Sequence, residues 1–221
     1  MAEGGQRGAG REAEGYAVDE PGLIRDALQG DLDAFNTLVL AHQAIAYNLA
    51  YRILGEAALA EDASQEAFLS AFRNLRSYRG GSFRAWVLRI VTNACYDELR
   101  RQKRRPALSL EGMGADADGS DDAAEFLVPS GEEGPEQAAE RSELARTLTN
   151  CLENLPAEFR TVAVLVDVQG FDYAEAAAVV NKPVGTVKSR LARARARLRD
   201  CLDAHRELLP SRVRLQSGTG A

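Results

Sequence analysis

Residues 171–199 read FDYAEAAAVVNKPVGTVKSRLARARARLR. The stretch predicts a helix from about Tyr173 to Val180, a tight turn through Asn181 to Pro183 and a second helix from about Val184, the layout of a helix-turn-helix. Small Ala176 and Ala177 let the two helices approach closely, while Val187, Leu191 and Leu198 give the second an apolar stripe. Its other faces carry Lys188, Ser189, Arg190, Arg193, Arg195, Arg197 and Arg199, with no acidic residue between Lys188 and Arg199. A solvated helix face usually interleaves glutamate for i, i+4 pairing. This face is therefore read as a DNA contact, with several cations on phosphates and those nearest the N-terminal end reaching guanine edges. Thr186 and the free amides of the first turn suit a phosphate.

Helical periodicity extends outward in both directions. Upstream, Val162, Ala163, Leu165 and Val166 belong to a helix that starts at Pro156 and ends at Gln169-Gly170. Leu144, Leu148, Cys151, Leu152 and Leu155 mark another, beginning near Gln137. Before these lies ALSLEGMGADADGSDDAAEFLVPSGEEGPE, poor in large apolar residues and read as a flexible linker. A second set of helices precedes it. One begins at Pro21 and ends at Gly30; the next, capped by Asp31 or Asp33, runs from Phe35 to near Gly55. A third spans about Ala57 to Leu75, with Ala60, Ala63, Ala67, Phe68, Ala71, Phe72 and Leu75 on one face. After a glycine loop, Ser82 is placed to cap a fourth helix through Trp86, Val91 and Leu99. No segment alternates with period two, so the fold class is all-α: two small helical domains joined by a flexible acidic linker. The expected boundaries are a disordered tail over 1–20, a first domain over 21–105, the linker over 106–137, a second domain over 138–206 and a tail over 207–221.

Charge follows this division. The net value of −6 is the balance of +3 over residues 22–105, −10 over 106–143, +4 over 144–221 and −3 over the first 21 residues. Two basic modules on an acidic tether suit a polyanionic partner. Nowhere do 18 apolar residues run together, and the N-terminus has no apolar core of a signal peptide, so a cytoplasmic protein without membrane contact is expected. Cys95, Cys151 and Cys201 are odd in number and form no CxxC pair. They are expected to be reduced, with neither structural zinc nor a disulfide.

The first module offers two polar surfaces. Glu61, Asp62, Gln65 and Glu66 share one helix face, which by spacing alone is an ordinary solvated acidic face. From Tyr78 onward, Tyr78, Phe83, Trp86 and Tyr96 are interleaved with Arg76, Arg79, Arg84, Arg89 and the run Arg100-Arg101-Gln102-Lys103-Arg104-Arg105. Rings to stack on and cations along a backbone are what unstacked single-stranded bases need. Taken singly, Phe83 and Trp86 are residues more often found in a core than serving as base platforms.

LAEDASQEAFLSAFRNLRSYRGGSFRAWVLRIVTNACYDELRRQKRRP, residues 59–106, resembles the second conserved region of sigma-70 factors, and VGTVKSRLARARARLR, residues 184–199, resembles the end of the fourth. With no room for further promoter domains, the chain is similar to the small extracytoplasmic-function (ECF) group. The resemblance implies a promoter-specific initiation factor for core RNA polymerase, not an enzyme, with no cofactor and no metal. It implies that Glu61, Asp62, Gln65, Glu66 and Phe68 bind the clamp of the largest subunit, with a further contact to the flap of the second-largest. It assigns the −10 element and melting of the non-template strand to Tyr78, Arg79, Ser82, Phe83, Trp86, Arg89, Asn93, Arg100 and Arg101. The −35 duplex falls to Thr186, Lys188, Ser189, Arg190, Arg193 and Arg197, although Ala192 departs from the larger residue relatives often carry. A cognate anti-sigma factor is a further implied partner. A two-domain operator-binding regulator fits the helix-turn-helix but not the aromatic and basic block. An enzyme finds no support in a carboxylate pair, triad or GxxxxGK[ST] loop.

Overall fold

A computed structural model describes residues 19–104 and 135–205, with side chains from residue 142 in the second stretch. The expected linker up to residue 134, Arg105, the tail before Asp19 and the tail from residue 206 lie outside the described residues. The chain divides into two compact units, one ending at Val39 and the other starting at Leu40.

In the first unit, helix α1 (Glu20–Leu28) has Pro21 in its first turn and Asp19 as its cap, whose carboxylate accepts from the Gly22 amide at 3.1 Å. Gly30, at φ +101°, turns the chain out of the helix in a region that glycine enters without steric cost. The Asp31 carboxylate then accepts from the amides of Asp33 and Ala34 at 2.9 and 3.1 Å, so Asp31 rather than Asp33 caps α2 (Leu32–Leu54).

The second unit holds the rest of α2 and six further helices. Helix α3 (Ala57–Arg73) ends before the expected Leu75, which is buried in a single 3₁₀ turn, Leu75–Ser77. Its buried face is a ladder of small residues, Ala60, Ala63, Ser64, Ala67 and Ala71, which lets α3 pack closely along α4 (Phe83–Arg104). Phe72 departs from the expected face and is 42% exposed, because the helix phase that buries Ala67 and Ala71 turns it outward. Ser82 caps α4, its hydroxyl accepting from the Ala85 amide at 3.1 Å.

Helix α5 (Pro135–Glu153) starts three residues earlier than the expected domain boundary, with a proline in a first turn that has amides to spare. Helix α6 (Ala157–Ala163) passes into a π-helical turn, Val164–Val168, which no periodicity in the sequence signals. Helix α7 (Tyr173–Val180) opens on a capping box. The Asp172 carboxylate accepts from the Ala174 and Glu175 amides at 2.7 and 2.8 Å, and Glu175 accepts from the Asp172 amide at 3.0 Å. Asn181, at φ +52°, ends α7 in the left-handed region, which asparagine tolerates, and Pro183 starts α8 (Val184–Asp203). Ala176, Val179, Val187, Leu191 and Ala194 fill the space between α7, α8 and the preceding helices.

These helices all pack in one unit, α4 lying against α7. Arg84 of α4 donates to the Gln169 carbonyl at 2.8 Å and lies 4.3 Å from the centre of the Phe171 ring. Tyr96 and Thr161 share a hydrogen bond at 3.0 Å. Arg160 donates to three carbonyls, of Ile53 at 2.6 Å, Glu153 at 2.5 Å and Leu155 at 3.1 Å. Two of these close the C-terminal ends of α2 and α5, where unpaired carbonyls favour a cation.

Cys151 and Cys201 form a disulfide, with Cα atoms 5.9 Å apart. This corrects the expectation that all three cysteines are reduced. Both sit on the inward stripes of their helices, Cys151 in register with Leu144 and Leu148 and Cys201 near Leu198, and the pairing of α5 with α8 brings the stripes together. Cys95 is free and buried.

Candidate nucleic-acid interface

Three surfaces carry the residues singled out above. The first is the outer face of α8, where Lys188, Ser189, Arg193 and Arg197 are exposed and Thr186 is half-buried. The apolar stripe, inward at Val187, Leu191 and Ala194, holds these side chains outward by helical phase. Ser189 donates to the Thr186 carbonyl at 3.0 Å. The Lys188 ammonium is 5.5 Å from the centre of the Tyr173 ring, and Arg197 lies 5.3 Å from that of Phe159.

Two counter-ions on this face were not foreseen. Arg190 pairs with Glu158 of α6, leaving its side chain 18% exposed. Arg195 grips Asp167 of the π-helical turn at 2.5 and 3.2 Å, which raises its already high pKa. The acidic partners that α8 lacks are thus supplied by α6 and the π-helical turn, a long-range pairing that no spacing within the motif reveals.

The second surface is the loop and first turns around Tyr78–Trp86. Gly80 and Gly81, at φ +87° and +90°, fold the loop back so that the Tyr78 hydroxyl donates to the Gly81 carbonyl at 2.6 Å. Tyr78, Phe83 and Trp86 form a triangle with ring centres 5.5–5.6 Å apart. Phe83 is its buried base, 1% exposed and 5.5 Å from the His42 ring, so it supports the other two rings and has no face for a base. Tyr78 and Trp86 are half-buried and border a cavity of about 450 Å³ with Arg79, Arg89 and Asn93. Ser82 is spent as the cap of α4. Tyr96, grouped with these rings in the sequence, lies apart from them beneath Thr161, where burial raises its pKa. Arg100 and Arg101 are exposed and paired with Asp97 and Glu98 one turn back, at 2.7 and 3.2 Å.

The third surface is the outer face of α3. Glu61, Asp62, Gln65 and Glu66 are exposed, Gln65 donating to Glu61 at 3.2 Å, and Phe68 is half-buried beside them. A cavity of about 670 Å³ runs between this face and α4, bordered by Asp62, Gln65, Glu66, Asn93 and Arg101. Asn93 borders both cavities. Among the described residues, no cluster of three or more His, Cys, Asp or Glu could hold a metal ion, and no helix is long and apolar enough to cross a membrane.

Family models match the two helical sets separately. Residues 38–105 match sigma-70 region 2, and residues 145–198 match sigma-70 region 4. Along the chain, 36% of 181 residues are identical to the ECF RNA polymerase sigma factor SigW of Bacillus subtilis, covering 80% of this chain and 92% of that one. The chain belongs to the ECF group of the sigma-70 family. Its members are transcription initiation factors rather than enzymes, and the all-α fold with one region 2 and one region 4 domain is theirs. A second relative is SigE of Mycolicibacterium smegmatis, 37% identical over 177 residues, 80% of this chain and 65% of that protein. Among solved structures, the sigma factor shares its fold with CnrH in complex with the cytosolic domain of CnrY. That match has a TM-score of 0.57 and 29% identity, and covers 84% of this chain and 97% of that one. Helices α7 and α8 are therefore the helix-turn-helix of region 4, and α3 and α4 lie in region 2.

Proposed function

We propose that this sigma factor binds core RNA polymerase in the cytoplasm and directs it to promoters with two readers. Region 4 reads the −35 duplex through Lys188, Ser189, Arg193 and Arg197, with Thr186 at a phosphate and Arg190 joining once it leaves Glu158. Region 2 captures an unstacked non-template base of the −10 element in the cavity beside Tyr78, Trp86 and Asn93, while Arg79, Arg89, Arg100 and Arg101 follow the backbone. Phe83 and Ser82 build this reader without touching DNA. Capture offsets the few kcal/mol of unpairing, since stacking returns about 1–3 kcal/mol per base. Glu61, Asp62, Gln65, Glu66 and Phe68 form the contact with the clamp, and the flap is the second polymerase contact. The observation that carries the reading is the pair of surfaces on one chain: a ring-bordered cavity flanked by arginines and an outward cationic recognition helix.

In this reading region 2 occupies 21–105, the acidic linker 106–137 and region 4 138–206. An anti-sigma factor is a further proposed partner, supported by CnrH, a structural neighbour solved with the cytosolic domain of CnrY. Run-off transcription with purified bacterial core polymerase on a genomic fragment pool tests the proposal. Transcripts with defined starts are expected only when both proteins are present. Tight duplex binding by the free chain without initiation would overturn it in favour of an operator-binding regulator.

A further inference from the structure

The disulfide joins two residues 50 apart in sequence, so the loop it closes contains the last turn of α5, all of α6 and α7, and α8 up to its final turn. We propose that Cys151–Cys201 is a reversible redox site that staples α5 to the end of the recognition helix, opened by a dithiol reductant and closed by a disulfide oxidant.

Three features support a bond that opens and closes in the folded chain. Non-covalent packing holds α5 only partly, since Leu144, Leu148 and Leu152 are half-buried and only Ala145 and Cys151 are buried along its described side chains. The two sulfurs differ in access: Cys151 is 2% exposed, whereas Cys201 is half-buried near the open end of α8. Exchange needs a thiolate to reach one sulfur in line, which selects Cys201. The third cysteine stays out of the exchange, because Cys95 is buried in α4 and its thiol is pushed up to about 12.

The chemistry balances without a metal or cofactor. A thiolate of the reductant attacks the Cys201 sulfur, and Cys151 leaves as a thiolate that takes up a proton. The reductant's second thiol then displaces Cys201 from the mixed disulfide, and Cys201 takes up the second proton. Two electrons and two protons pass to the pair, and the reductant leaves as its own disulfide. Oxidised glutathione closes the bond: the Cys201 thiolate attacks glutathione disulfide and releases one glutathione thiol, and the Cys151 thiolate then displaces the second glutathione from the mixed disulfide on Cys201. None of this rests on the promoter reading.

The test counts thiols and follows melting in the full-length chain. After acid quenching and maleimide labelling in denaturant, the chain treated with oxidised glutathione is expected to show one free thiol, three after dithiothreitol, and one again after re-oxidation. The oxidised chain is expected to melt at least about 5 °C above the reduced one, because the bond restricts the unfolded ensemble. The Cys151→Ala/Cys201→Ala double variant, checked for folding by circular dichroism, should lose this dependence on redox state. Three thiols after glutathione treatment, a bond that dithiothreitol leaves intact in the folded chain, or equal melting of the two states would overturn the proposal.

Discussion

Arg190 and Arg193 lie one turn apart on α8, yet their surroundings separate them. Arg190 is held by Glu158, whereas Arg193 is exposed. Arg193→Ala is expected to weaken binding of the polymerase complex to duplex promoter by up to about tenfold and to lower the slope of log affinity against log salt by about one. Glu158→Gln should act in the opposite sense, strengthening binding at low salt, because it frees Arg190 and removes a negative charge facing the phosphates. Fluorescence anisotropy across a salt series measures both. A different residue sets a pH limit. Burial raises the Cys95 thiol to about 12 from an ordinary 9.0, so the folded chain keeps a proton there that the unfolded chain releases first. Its contribution to stability is complete below about pH 9 and declines as pH rises toward 12. Urea midpoints should therefore fall more steeply above pH 9 for the parent chain than for Cys95→Ala.

Among the elements, α7 and α8 are the best determined by local chemistry. The Asp172–Glu175 capping box, the left-handed Asn181 and the Pro183 start act within four residues, so their limits could be read from the sequence. Asp172→Ala removes acceptors for two amides and is expected to cost region 4 about 1 kcal/mol, seen as a lower thermal midpoint. Other features depended on distant partners and were not legible. Phe72 differs from Phe68 only through the phase at which α3 meets α4, and spacing alone placed both inward. Glu158 and Asp167 pair with Arg190 and Arg195 of α8 from outside that helix. Cys151 and Cys201 meet only because α5 and α8 pack together, and a separation of 50 residues leaves no local trace. The candidate cavity was half legible: the loop glycines and rings marked its place, but only the packing of α4 shows that Phe83 faces the core while Trp86 reaches the surface. The linker and both tails lie outside the described residues.

For the molecule as a whole, two arginines join region 4 helices to region 2, Arg84 reaching from α4 and Arg160 reaching the end of α2. Arg84 and Arg160 bridge the two sets of helices, yet the Nε atom of each is buried without a hydrogen-bond partner. A buried unpaired donor costs about 1–3 kcal/mol, so each bridge gives back part of what its other bonds contribute. Arg84→Ala with Arg160→Ala should speed amide hydrogen exchange along α4 and α7 while leaving α3 protected. The π-helical turn decides whether Arg84 finds its acceptor. Its bonds, from the Gln169 amide to the Val164 carbonyl at 2.9 Å and from the Phe171 amide to the Leu165 carbonyl at 3.0 Å, span five and six residues. In rotational terms the turn is one residue out of step with an α-helix, a phase error of about 100°. Deleting one residue between Val164 and Val168 would restore the phase and swing the Gln169 carbonyl and the Phe171 ring away from Arg84. A single codon there thus acts as a dial on how the two halves of the factor meet.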